Sequence, residues 1–216
     1  MVFLMAKIYG KKQSFLNVRV MVLIALLSAI AFVLSLDGVF RWRLPLFPPF
    51  LILDVSDIPA LIGAITLGPI AGVHIVALGN ILDVLMTGTT TMGIGPFTNF
   101  LAGTAYILPT AYIHNRFGSN LKSFLVGAGL GVLFATITVS LIKMIIMIPI
   151  YAYIFGIPID NIVAMGTMVN SSIDSLATLV LFSIVPFNIL KFSLVSIGGF
   201  VVIKAFNPLM VRFSKK

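Results

Sequence analysis

Long apolar runs, broken by short polar or proline-rich stretches, set the pattern of this chain. The first run covers residues 18–36, with MVLIALLSAIAFVLSL at its heart and Lys7, Lys11, Lys12 and Arg19 before it or at its start. A helix that crosses a bilayer needs about 20 mostly apolar residues, and this run has that length. It is long for the apolar region of a secretory leader, so it reads as a retained span. Residues 37–54 (DGVFRWRLPLFPPFLILD) are too rich in proline to form a regular helix. They read as a structured loop at the membrane surface, partly dipping in, with Trp42 at headgroup level. Ser56 or Asp57 is placed to cap the next helix, with Pro59 in its first turn. That helix runs to about Leu67 and breaks at Gly68-Pro69, and another continues to about Met86, the two forming a bent hairpin of spans.

A polar, glycine-rich stretch, TGTTTMGIG over 87–95, precedes a fourth span at 96–113. A fifth covers 124–148 and is expected to stop at Pro149, after which 150–170 form a long connection. The last apolar stretch, 173–206, is interrupted by Pro186 and carries Asn188 and Lys191. The expected fold is therefore all-α and membrane-embedded, with six transmembrane helices and a structured extracellular loop after the first. In domain terms, 1–17 is a cytoplasmic N-terminal segment, 18–206 the transmembrane domain and 207–216 a basic cytoplasmic tail.

Composition agrees with that class. Of 216 residues, 60% are hydrophobic and 9% charged, with a mean hydropathy of +1.17. Soluble domains carry about 25% charged residues, so there is too little charge here to coat a soluble surface. The six acidic residues are all Asp and face 14 Lys and Arg, giving +8. In a membrane protein that excess marks cytoplasmic loops and anionic lipid rather than nucleic acid. With the N terminus inside, ten basic residues fall on that face, and only Arg41 and Arg43 on the other. Both termini are thus expected in the cytoplasm of a multi-pass plasma-membrane protein, with 37–55, 87–95 and 150–170 facing outward.

Several chemistries are excluded or weak. No Walker A pattern is present, so any ATP-driven work needs partner subunits. With no Cys there is no disulfide, thiolate metal site or cysteine nucleophile. His74 and His114 lack metal-ligand spacing. Gly127-Ala128-Gly129-Leu130-Gly131 follows no strand and reads as close helix packing rather than a dinucleotide fingerprint.

Polar groups inside the spans carry more information, because a charge in hydrocarbon is costly. Asn188 and Lys191 lie one turn apart and project from one helical face, where an amide and an ammonium together call for a polar ligand. Lys143 either snorkels to headgroups or faces the same ligand. Asp83 follows Asn80 by one turn near the outer end of its span, and Asp174 is read as a helix cap. Ala25 and Ala29 form an AxxxA pair that suits either internal packing or a flat stripe for another subunit's helix.

The run FLILDVSDIPALIGAITLGPIAG (50–72), the run TGTTTMGIGPFTNFLAGTAYILP (87–109) and PFNILK (186–191) together resemble the substrate-binding S components of energy-coupling factor vitamin transporters. Within these, the riboflavin-specific group is the best match, over residues 18–205 or so. The resemblance implies a non-enzymatic six-helix protein that captures a vitamin outside the cell. It implies docking on a membrane coupling subunit driven by two cytoplasmic ATPases, and delivery by toppling within the membrane. The flavin would be cargo, with no resident cofactor. Asn188 and Lys191 would bond the polar edge of the isoalloxazine ring. Lys143, Asn80, Asp83, Leu51, Ile52, Thr90, Gly95, Phe97 and Asn99 complete the implied pocket, and Ala25 and Ala29 would meet the coupling subunit.

The chain departs from the riboflavin pattern at Ile52, Val76, Gly79, Pro96 and Lys143. If Lys143 faces the pocket, its positive charge favours a phosphorylated flavin such as flavin mononucleotide. A different vitamin on the same fold, or an intramembrane enzyme using Lys143, Lys191 and Asp83, are the alternatives. The enzyme reading lacks a paired nucleophile and base at recognisable spacing.

Overall fold

The computed structural model describes residues 18–37, 40–118 and 120–213, with side chains to residue 205. The segment expected at 1–17 and residues 214–216 of the basic tail therefore lie outside what is described. The elements are α1 (Val18–Val33), β1 (Arg41–Arg43), β2 (Ile52–Asp54), α2 (Asp57–Leu67), α3 (Pro69–Thr87), α4 (Ile94–Arg116) and α5 (Leu121–Ile142). They are followed by α6 (Ile148–Phe155), α7 (Ile159–Thr167), α8 (Leu176–Leu179) and α9 (Val185–Phe213). Among the described residues, three helical stretches are long and apolar enough to cross a membrane: Pro69–Thr87, Leu121–Phe155 and Leu176–Ala205. The Val18–Val33 and Asp57–Leu67 helices are apolar but shorter.

Two π-helical turns account for the main differences from the expected boundaries. Pro149 does not end the fifth apolar helix, nor does Pro186 interrupt the last. A π turn at Lys143–Met147 joins α5 to α6, and a second at Val180–Ile184 joins α8 to α9. In each, the residue after the turn donates its N–H five residues back, Ile148 to the Lys143 carbonyl and Val185 to the Val180 carbonyl. The prolines come one residue later, so the widened turn makes room for a ring that would otherwise strike the preceding carbonyl. The connection expected at 150–170 is largely helical, as α6 and α7. The last helix also runs through residue 207 to Phe213, so no element ends at the expected tail boundary.

The break at Gly68-Pro69 is as the sequence implies. Gly68 takes φ +113, a conformation that L side chains avoid, and Pro69 opens α3. Neither Ser56 nor Asp57 caps α2: Ser56 is in helical conformation with no side-chain cap bond. Asp174 does not cap the last helix either. Ser175 does, in a reciprocal box with Thr178. The Asp174 carboxylate instead accepts the Thr178 hydroxyl at 3.0 Å, and such bonds hold it below the ordinary carboxylate range.

The loop after α1 is a β-hairpin rather than irregular chain, with Arg41 opposite Asp54, Trp42 opposite Leu53 and Arg43 opposite Ile52. Two apolar cores result. One, including Ile24, Leu61, Ile75, Tyr106, Ala135 and Phe192, joins α1 to α5 with α9. The other packs Leu51 and Leu53 of the hairpin against Ile148, Ile162, Leu179, Ile184 and Phe187. Helices α4 and α5 touch closely through the glycine run. A Cβ on Gly127 would lie 2.7 Å from the Thr110 carbonyl, and one on Gly131 would collide with the Thr110 hydroxyl and lie 2.8 Å from the Tyr106 carbonyl.

Candidate ligand cavity

A cavity of about 570 Å³ lies where members of the two cores face one another, with Val139 and Ala102 from the first and Leu51, Ile148, Ile162 and Phe187 from the second. Drug-sized ligands occupy pockets of roughly 300–1,000 Å³ that are mostly apolar, with a few fixed polar groups. This cavity has that character. Leu51, Ile52, Thr90, Gly95, Asn99, Asp83, Lys143, Asn188 and Lys191, named from the sequence, all line it. Thr89 and Thr91 do too. Phe97 is not on the lining and is half exposed at 53%. Asn80 lines a small adjoining pocket of about 20 Å³, and its amide donates to the Val76 carbonyl at 2.9 Å.

The π turns deliver the polar side chains. Lys143 and Met147 belong to the first turn and line the cavity. Asn188, 3% exposed, sits one turn after the second and donates from Nδ2 to the Ile184 carbonyl within it at 2.8 Å. That bond fixes the amide plane and leaves the side-chain carbonyl as an acceptor.

Lys191 is tied down in a way the sequence reading missed. Its Nζ lies 3.1 Å from Asp54 Oδ2 and 3.5 Å from Asp57 Oδ2, with all three side chains buried. Asp54 is itself held by the Ser56 hydroxyl at 2.5 Å and backbone N–H at 3.1 Å, both on Oδ1. Lys191 thus has the partners that a buried charge needs, with two carboxylates sharing one ammonium. Six acidic residues in an apolar chain were the available signal, but which of them meets Lys191 depends on contacts more than 130 positions apart.

A second ion pair fastens the hairpin elsewhere. Arg41 reaches Asp83 Oδ2 at 2.6 Å and Asp37 at 3.7 Å, while Ser35 donates to Asp83 Oδ1 at 3.2 Å. Asp83 is thus engaged with Arg41 rather than with Lys143. Among the described residues no ion pair reaches Lys143 or Arg43, and both line the cavity. Ala25 and Ala29 both lie exposed on α1, off the stripe that buries Ile24 and Ser28. Among the described residues no group of three or more His, Cys, Asp or Glu is placed to hold a metal ion.

An apolar helical bundle with a large, mixed-polarity cavity lined in part by a hairpin defines a membrane protein built to hold a small organic ligand. The chain belongs to the substrate-specific components of energy-coupling factor (ECF) transporters, whose family model matches residues 19–203. It is 34% identical to the riboflavin transporter RibU of Staphylococcus aureus (strain TCH60), over 82% of this chain and 84% of that one. It is 32% identical to the riboflavin transporter FmnP of Bacillus subtilis (strain 168), over 91% and 93% respectively. Among solved structures, one described as the S component of a bacterial ECF transporter superposes with a TM-score of 0.67. That likeness comes at 29% identity and covers 89% of this chain and 97% of that chain.

Proposed function

We infer that this chain is the riboflavin-capturing subunit of an ATP-driven vitamin importer. The observation that carries this reading is the cavity: about 570 Å³, apolar in its walls, with Asn188 and Lys191 side by side on one of them. Riboflavin is a planar apolar ring with a donor–acceptor edge and a hydroxylated tail. Asn188 offers both a donor and an acceptor to such an edge, and Lys191 donates to a carbonyl oxygen or ring nitrogen. Thr89, Thr90 and Thr91 supply hydroxyls suited to the tail. The names of the curated relatives support the same substrate.

The chain crosses the plasma membrane six times, with both termini in the cytoplasm and the hairpin outward. The exposed Ala25 and Ala29 stripe on α1 meets the membrane coupling subunit, behind which stand two ATPases, and toppling in the bilayer delivers the vitamin. Neither a catalytic step nor a resident cofactor belongs to this account. Detergent-purified protein from cells fed riboflavin tests it. A visible flavin spectrum that follows the protein through purification is expected, and a colourless protein that leaves added riboflavin fluorescence unquenched would move the substrate elsewhere.

A second reading is favoured by Lys143 and Arg43, cavity-lining cations with no ion pair among the described residues. Their charge suits a phosphate on the ligand's tail, so flavin mononucleotide is accommodated beside riboflavin.

A further inference from the structure

Asp57 is buried, 6% exposed, yet unlike Asp54 it does not line the large cavity. Its Oδ2 stands 3.5 Å from the Lys191 ammonium, and its Oδ1 leans against Gly103 of α4, where a Cβ would lie 2.6 Å away. The absence of a side chain at position 103 is therefore what allows the carboxylate to occupy its place behind Lys191. Asp54 approaches the same ammonium at 3.1 Å from a carboxylate locked by Ser56.

An ammonium has three N–H donors. Asp54 takes one of them and the Asp57 carboxylate stands against the ammonium as an ion pair at 3.5 Å, so the four-carbon stem loses the rotamer freedom it would otherwise keep while an N–H is left for the cavity. Two carboxylates against one ammonium also remove the net positive charge at this point, so the remaining N–H suits a neutral acceptor and not an anion.

We propose that Asp57 is a positioning residue for ligand recognition: from behind the cavity wall it holds Lys191 so that an N–H points at the ligand's carbonyl edge. The inference rests on the reading that Lys191 contacts riboflavin. It assigns to the SDIPALIG segment a role in binding, rather than only in starting α2.

The test is a double-mutant cycle on riboflavin affinity, measured by fluorescence quenching on the purified full chain, with thermal unfolding in parallel. Lys191→Met removes a charged hydrogen-bond donor and is expected to weaken binding roughly 10- to 150-fold. Asp57→Asn keeps the shape but removes the charge, and is expected to weaken binding roughly 5- to 30-fold on its own. It should have no further effect once Lys191→Met is present. Gly103→Ala, which touches neither Lys191 nor the cavity, is expected to reproduce the Asp57→Asn loss and serves if that variant does not fold.

If Lys191→Met leaves riboflavin affinity unchanged, the reading of Lys191 as a ligand contact falls and the inference with it. If Lys191→Met weakens binding while the Asp57 and Gly103 variants lower only the unfolding temperature, Asp57 is structural and the proposal is overturned. Independent, multiplying effects of Asp57→Asn and Lys191→Met on affinity would overturn it as well.

Discussion

At the scale of residues, the polar groups of the cavity were legible because they are rare. An apolar helix has little reason to carry an Asn and a Lys one turn apart, and Asn188 and Lys191 do line the cavity together. Their partners were not legible. Local rules assign Asp57 to a helix cap, whereas in the folded chain the demand of a buried ammonium outweighs a cap of about 1 kcal/mol. Phe97 misled for a related reason. A helix has several faces, and a position near a pocket-forming segment need not point inward, as its 53% exposure illustrates. Lys143 carries a prediction at this scale. Lys143→Met is expected to lower the affinity for flavin mononucleotide about tenfold or more relative to riboflavin. An unchanged ratio between the two ligands, read by fluorescence titration, would remove phosphate recognition from this residue. The Arg41–Asp83 pair is partly exposed, at 17% and 7%. Arg41→Ala should cost about 1–3 kcal/mol of stability by leaving Asp83 short of its charged partner, measured by thermal unfolding.

At the scale of elements, apolar length predicted the long helices but not the helical 150–170 connection, and glycine and proline predicted only some of their ends. Gly68-Pro69 is a true break because Gly68 has a positive φ that other residues resist. Pro149 and Pro186 are not breaks, because a π turn precedes each and widens the helix ahead of the ring. Proline alone does not reveal whether the chain will stop or bulge, since the choice is made by packing. The first bulge lines the cavity through Lys143 and Met147, and the second ends four residues before Asn188, whose amide it holds through the Ile184 carbonyl. The glycine run offers a paired prediction. Gly131→Ala is expected to destabilise the α4–α5 contact by about 1–3 kcal/mol through overpacking. Gly129→Ala, with nothing within 4 Å of its Cβ, should be neutral or stabilising by up to about 1 kcal/mol. Thermal unfolding of the two variants in one detergent separates them.

At the scale of the whole molecule, composition alone placed the chain in a membrane, and three ordered sequence blocks placed it in its family. The hairpin over the cavity was harder to see. Its strands are three residues each, they lie within a proline-rich loop, and their pairing is fixed by burial of Leu51 and Leu53 and not by any turn signature. The outer surface supports a separable prediction. Ala25→Leu with Ala29→Leu should leave riboflavin affinity within about twofold, because both alanines face away from the cavity. The same variant should lose uptake in cells and co-purification with the coupling subunit. Retained uptake would place the partner contact on another face.

If the flavin occupies this cavity, filling the cavity must abolish binding. The most direct measurement is a riboflavin titration of purified wild-type protein beside Ala102→Phe, whose ring would project into the cavity lining, with thermal unfolding to show that the variant is folded. Saturable quenching by the wild type, abolished or weakened at least about a hundredfold in a folded Ala102→Phe, is the predicted result. Equal quenching by both proteins would put the flavin somewhere other than this cavity and contradict the account.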